Sequence, residues 1–229
     1  MKNSSLRLYS RFIIWGLFLH SLQLDAADPE RFAKIIDEWT TKDQTNPPPK
    51  GLTLFIGSSS IKKWKSLEQD FPKDTVLNRG FGGSWTADVL HYMDRIVLPY
   101  KPSKIVVYCG ENDIAHGEAM EVPLENWKIF VERVRKVLPG TRLYYIPMKP
   151  NPKRWNLWPE YQKGNRLIQD YCEKKDISFL GNIPKRMLGE DGKPRPGIFA
   201  KDLLHLNADG YKIWVEEVRK ALETDSRKP

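Results

Sequence analysis

From Leu52 onward, short apolar runs alternate with longer amphipathic stretches. Leu52-Thr53-Leu54-Phe55-Ile56 is continuously apolar apart from one threonine and stops at Gly57. That predicts a strand buried on both faces. Val76-Leu77-Asn78, Lys104 to Cys109 and Arg142 to Pro147 predict three more, and Ile177-Ser178-Phe179-Leu180 a weaker fifth. Between them the apolar spacing changes to that of helices. Leu124, Trp127, Val131, Val134 and Leu138 form one stripe, opened by Pro123 in the first turn and closed before Gly140. Tyr211, Trp214, Val215, Val218 and Leu222 form another, after a capping Asn207. Alternation of strand and helix predicts an α/β sandwich built on a parallel sheet, one domain at residues 51–224. No internal repeat is visible.

Two regions precede that domain. Residues 1–26 begin with Lys2, Arg7 and Arg11, continue through the apolar run Phe12 to Leu19, and end in the small residues Ala26-Ala27. This is the plan of a signal peptide for export to the periplasm or exterior, with an uncleaved N-terminal anchor as the alternative. Residues 27–50 predict a helix from the spacing of Phe32, Ile35, Ile36 and Trp39, then a stiff arm through Pro47-Pro48-Pro49. Residues 225–229 are expected to be a short tail.

Composition narrows the function. A chain of 229 residues that is 40% hydrophobic can bury a full core, and two cysteines exclude a disulfide scaffold. Cys109 and Cys172 are expected as buried free thiols. The net charge is +8, but the basic residues are scattered, so no nucleic-acid partner is expected. No His, Asp or Glu cluster has metal-ligand spacing, so neither metal nor cofactor is expected. The oligomeric state is left open, and no membrane insertion is expected once a leader is removed.

In open parallel sheets, function gathers at the carboxyl ends of strands. Three predicted strands run directly into polar or glycine-rich segments: Gly57-Ser58-Ser59-Ser60, Asn78-Arg79-Gly80-Phe81-Gly82-Gly83 and Gly110-Glu111-Asn112-Asp113. A fourth segment, Asp202-Leu203-Leu204-His205, stands near the C-terminus. Acyl transfer needs these residue types. A serine must lose its proton to a base as it attacks. A histidine serves when a carboxylate fixes its tautomer, and Asp202 and His205 are three residues apart. The oxyanion needs donors set in advance, which the Asn112 amide, the Gly83 N–H and the serine's own N–H can supply. Each segment taken singly reads as readily as a turn or a helix cap.

The ordered set of four resembles the GDSL esterases of the SGNH hydrolase superfamily over residues 52–216. The resemblance implies a flavodoxin-like sandwich with a five-stranded parallel sheet and a metal-free serine esterase. It assigns Ser59 as nucleophile, with Ser60 as the alternative, His205 as base and Asp202 as its partner. It assigns Ser59, Gly83 and Asn112 to the oxyanion hole. Trp64 matches a tryptophan frequent after the first block. One departure is Ser58, where the family usually has aspartate. The Gly-x-Ser-x-Gly elbow of ordinary α/β-hydrolases is absent.

The segment Lys149 to Trp158 follows the fourth strand, and its lysines, Arg154, Trp155 and Trp158 offer a grip for a sugar or an acidic polymer. The alternative is that both tryptophans cover the sheet edge as core residues. Arg79 and Glu111 either line the pocket or form ion pairs, and His116 either touches substrate or is a loop residue. The expected substrate is a short-chain ester, acetyl foremost, of a small molecule or a carbohydrate. The alternatives are a lipid acyl-ester hydrolase resembling platelet-activating-factor acetylhydrolase, or a carbohydrate-binding module that kept the fold.

Overall fold

The computed structural model describes residues 28–225. The expected leader at 1–26 and all but the first residue of the expected tail lie outside them. Five strands form one sheet: β1 (Thr53–Gly57), β2 (Val76–Gly80), β3 (Lys104–Tyr108), β4 (Arg142–Tyr145) and β5 (Ser178–Phe179). Their order is β2-β1-β3-β4-β5, and every pairing is parallel. Each strand lies where an apolar run predicts it, with β4 ending at Tyr145 and β5 shortened to two residues.

Among the described residues, ten α-helices surround the sheet: α1 (Ala33–Thr45), α2 (Ser59–Lys62), α3 (Leu67–Asp70), α4 (Thr86–His91), α5 (Met93–Ile96), α6 (Glu111–Ala115), α7 (Glu121–Val137), α8 (Trp158–Lys174), α9 (Asn182–Met187) and α10 (Ala208–Asp225). Side chains alternate across a strand, and the two cores follow that alternation. Leu54, Ile56, Ile105, Val107, Leu143 and Tyr145 face a core shared with α1, α4, α5, α7 and α8. Phe55, Val106, Tyr108, Tyr144 and Ile146 face the opposite core, shared with α2, α3, α9 and α10. This is the three-layer, flavodoxin-like sandwich that the family resemblance implies.

The N-terminal helix is more closely built in than a leading arm. Ile36 is fully buried. Arg31 pairs with Asp88 at 2.5 Å, Arg95 with Asp37 at 2.6 Å, and Phe32 sets its ring edge-on to Phe81 at 4.9 Å. The helix therefore braces the segment after β2. At the other end, Asn207 caps α10 as expected, its Oδ1 accepting from the N–H groups of Asp209 and Gly210. Cys109 and Cys172 are buried and unpaired.

The strand order reverses between β1 and β3, the chain going from β1 outward to β2 and then back across to β3. That switch point opens a crevice at the strands' carboxyl ends. The turns after β1, β2 and β3 all meet there.

Candidate active site

Gly57 ends β1 with φ +131°, and a Cβ on it would lie 1.9 Å from the carbonyl oxygen of Tyr108. Only glycine lets β1 approach β3 this closely, and the approach sets the direction of the next turn. Ser58 follows, buried, with its N–H on the Tyr108 carbonyl at 3.0 Å. Ser59 is the first residue of α2, and its side chain faces the crevice. Ser60 is 1% exposed and lies in the core beside Tyr108. One helical step turns a side chain by about 100°, so two adjacent serines have opposite fates and Ser60 is out of reach of the crevice.

Ser59 Oγ lies 2.9 Å from His205 Nε2, across 146 residues of sequence. His205 Nδ1 lies 2.6 Å from Asp202 Oδ2. Asp202 Oδ1 accepts the backbone N–H groups of Leu204 at 3.1 Å and His205 at 2.9 Å. The turn that permits this puts Leu203 at φ +56°. What burial Asp202 has would raise its pKa. The hydrogen bonds from the His205 ring and the two amides outweigh that and hold the carboxyl well below the usual range. Lys63 Nζ lies 3.1 Å from His205 Nδ1 and 3.7 Å from Asp202 Oδ2. A carboxylate can only accept, so Nδ1 carries its proton toward Asp202 and Nε2 is left to accept from Ser59. The lysine is then a neighbouring positive charge.

Nucleophile and base are joined from behind. Trp64, fully buried, stacks on Tyr211 at 5.2 Å and meets Trp214 edge-on at 5.7 Å. The Tyr211 hydroxyl donates to the Ser60 carbonyl at 2.8 Å. The helix following His205 is thereby fastened to the turn that carries Ser59.

The donor side is built differently. Gly83 has φ +83°, and a Cβ on it would meet nothing within 4 Å, so its amide borders open space. Neither the Ser59 nor the Gly83 N–H has a protein acceptor among the described residues. Asn112, in α6, is 8% exposed. Its Nδ2 donates to the Ser84 carbonyl at 3.1 Å, and its Oδ1 accepts from Arg154 at 3.0 Å. With Oδ1 and one N–H committed, the direction of the second N–H is fixed. Asp113 accepts both the Thr86 N–H at 3.0 Å and the Thr86 hydroxyl at 2.5 Å, tying α6 to α4. Burial pushes the Asp113 pKa up to about 6 against those two hydrogen bonds.

Five residues expected at the substrate or on its rim stand elsewhere. Arg79 is buried and pairs with both Asp43 oxygens at 2.6 Å, its Nε on the Tyr100 hydroxyl. Glu111 is buried and accepts from Lys149 at 2.7 Å, from Asn151 at 2.6 Å and from the Tyr108 hydroxyl. Both are the ion-pair alternative, and the reason is burial, since a charge in the core must be paired. Lys149, expected on the rim, is itself fully buried; burial pulls its pKa down while Glu111 opposes that. Trp158 is buried and Trp155 is half-buried, the two rings stacked at 6.1 Å over the first core. They cover the sheet edge. His116 is exposed, donates Nδ1–H to the Asn112 carbonyl at 2.7 Å and packs on Trp85. His91 pairs on the surface with Glu30 at 3.5 Å.

Lys63, Thr86 and Asn151 carry no sequence signal for their places. Their partners lie 142, 27 and 40 residues away. Arg154, grouped by sequence with the rim, instead reaches the candidate donor Asn112. Among the described residues, no group of three or more His, Cys, Asp or Glu could hold a metal ion, and no helix is long and apolar enough to cross a membrane.

The chain is similar to known proteins in both sequence and fold. The chain is 25% identical to the GDSL esterase/lipase WDL1 of Oryza sativa subsp. japonica, over 77% of this chain and 80% of that protein. An acylhydrolase from Bacteroides fragilis superposes with a TM-score of 0.71 at 20% identity, covering 89% of this chain and 99% of that one. An acetylxylan esterase from Geobacillus stearothermophilus, solved as a catalytic mutant, superposes with a TM-score of 0.60 at 13% identity, covering 75% and 94%. The model of the GDSL-like lipase/acylhydrolase family matches residues 56–213. The chain belongs to that family, and it is a serine hydrolase acting on ester bonds.

Proposed function

We propose that the protein is an exported esterase that removes short acyl groups, acetyl foremost, from carbohydrates. The observation that carries the chemistry is the 2.9 Å contact of Ser59 Oγ with His205 Nε2, backed by Asp202 at 2.6 Å. Ser59 Oγ attacks the ester carbonyl carbon and His205 Nε2 takes its proton. Asp202 stabilises the imidazolium. The carbonyl oxygen, now negative, accepts from the Ser59 and Gly83 N–H groups and the Asn112 amide. Collapse breaks the bond to the leaving alcohol, which departs with the proton from His205. Water, deprotonated by His205, then attacks the acyl carbon, releasing the carboxylic acid and Ser59.

A carbohydrate substrate is supported by the acetylxylan esterase among the fold neighbours. The same esterase, named for acetyl groups, also supports the short acyl group. Export is supported by the charged, apolar and small-residue order of residues 1–27.

The test is hydrolysis of p-nitrophenyl acetate and a long-chain p-nitrophenyl ester by residues 27–229, with fluorophosphonate labelling. The expected outcome is turnover of the acetate in preference to the long chain, with label on Ser59. Ser59→Ala and His205→Ala should each lower kcat by about 10⁴-fold or more. Label on Ser60, or full activity in Ser59→Ala, would overturn the assignment.

A further inference from the structure

Of the groups around Ser59, most of the charge is positive and unneutralised. A Cβ placed on Gly82 would lie 3.7 Å from Ser59 Cβ, 3.4 Å from Lys62 Cδ and 4.0 Å from Lys62 Nζ. The Lys62 side chain therefore lies along the glycine segment that carries the Gly83 amide, on the Ser59 side. Lys63 stands behind His205. Arg154 stands on Asn112. Lys153 donates its backbone N–H to the Leu203 carbonyl at 3.0 Å, which places it against the turn that bears Asp202 and His205.

Carboxylates do not balance these cations. Asp202 is engaged by His205 and is shared with Lys63. Glu111 is buried and answered by Lys149. Among the described residues, Lys62, Lys153 and Arg154 have no carboxylate at ion-pairing distance. Lys62 and Lys153 are exposed and Arg154 is half-buried. A cleft lined by one sign of charge concentrates ligands of the opposite sign, and a partly buried guanidinium adds directed hydrogen bonds to an oxyacid.

We infer that this site takes esters whose body carries an anionic group: the carboxylate of an acidic saccharide or a phosphate. The anion lies across the crevice mouth, between Lys62 on one side and Lys153 and Arg154 on the other, while the ester carbonyl sits over Ser59. The charge acts on binding and encounter, because Lys62 and Lys153 do not touch the reacting atoms. The inference rests on the esterase reading and names its substrate class.

The experiment measures kcat and KM for matched acetyl esters with the mature chain: a neutral oligosaccharide, a uronic-acid oligosaccharide of equal length, and an acetylated sugar phosphate. p-Nitrophenyl acetate serves as the uncharged control. At low salt, kcat/KM is expected to be about tenfold higher for an anionic ester than for the neutral one. The gap should shrink as ionic strength rises toward 1 M. Lys62→Gln combined with Lys153→Gln should raise KM for the anionic ester about tenfold while leaving p-nitrophenyl acetate turnover unchanged. Which anion gains more, carboxylate or phosphate, identifies the source. Equal rates for neutral and anionic esters, or equal loss on all substrates in the double variant, would overturn the inference. Loss of p-nitrophenyl acetate turnover and of Ser59 labelling in the unaltered protein would instead overturn the esterase reading.

Discussion

Asp113 and Asp202 stand beside the two halves of the site in opposite environments. Asp113 is 1% exposed, it anchors the donor side, and burial pushes its pKa up to about 6. Asp202 has a side chain 44% exposed, it holds the base, and its hydrogen bonds pull its pKa down. Apart from Gly83, the donor side is part of the core: Asn112, Asp113, Ser84, Trp85 and Thr86 are all buried, with Asn112 bonded to Ser84 and Asp113 to Thr86. The base side is a surface turn with a left-handed residue in it. The contrast teaches where order is needed. Oxyanion donors act only if they are in place before charge develops. A histidine that must accept and return a proton needs one fixed bond and some freedom.

The largest effect that would break this comparison comes from Asn112→Ala, expected to lower kcat by about 10²–10³-fold with little change in KM. Asp202→Ala should cost less, about 10²-fold, because the Asp202 side chain is 44% exposed and water can take its place on Nδ1. Changing the aspartate of a buried triad costs about 10⁴-fold. Steady-state kinetics of the two variants with p-nitrophenyl acetate compares them directly. A larger loss for Asp202→Ala would show that the base side is the rigid one.

The smallest effect is on stability. A carboxyl whose pKa is raised by folding holds its proton in the native state after the unfolded chain has released it. Between pH 3.8 and about 6, Asp113 therefore makes stability fall as pH rises, by about 3 kcal/mol in all. Burial is the origin of that cost, and among the described residues the Oδ2 atom has no hydrogen-bond partner. Asp113→Asn keeps an oxygen for Thr86 and removes the titration. Urea unfolding from pH 4 to 7 should show a flatter profile for the variant. An unchanged slope would remove Asp113 as its source.

The same contrast explains what could be read from sequence. The strand ends were legible, because an apolar run that stops at a glycine marks both the strand and the crevice above it. His205 and Asp202 were legible because their spacing is local. Arg79 and Glu111 are open between two readings because their partners are remote, and Trp155 and Trp158 because the core they cover is assembled from remote elements. Asp43 lies 36 residues from Arg79, and Lys149 lies 38 from Glu111. No local pattern distinguishes a paired buried charge from one facing substrate. Three consecutive serines likewise carry no polarity contrast. Only the start of α2 separates Ser59, facing out, from Ser60, facing in.

Ser59 and His205 are 146 residues apart, and synthesis proceeds from the N-terminus. A growing chain makes its nucleophile, its three donors and Arg154 well before it makes its base. A fragment ending before Phe199 carries the residues of all three donors and no general base. The base is brought into place by the last helix, through Tyr211 on Ser60 and Trp214 on Trp64. Loss of the C-terminal helix to a protease would disconnect the base in the same way. Hydrolytic activity in this molecule is thus a report that synthesis has passed the last helix and that the helix has docked.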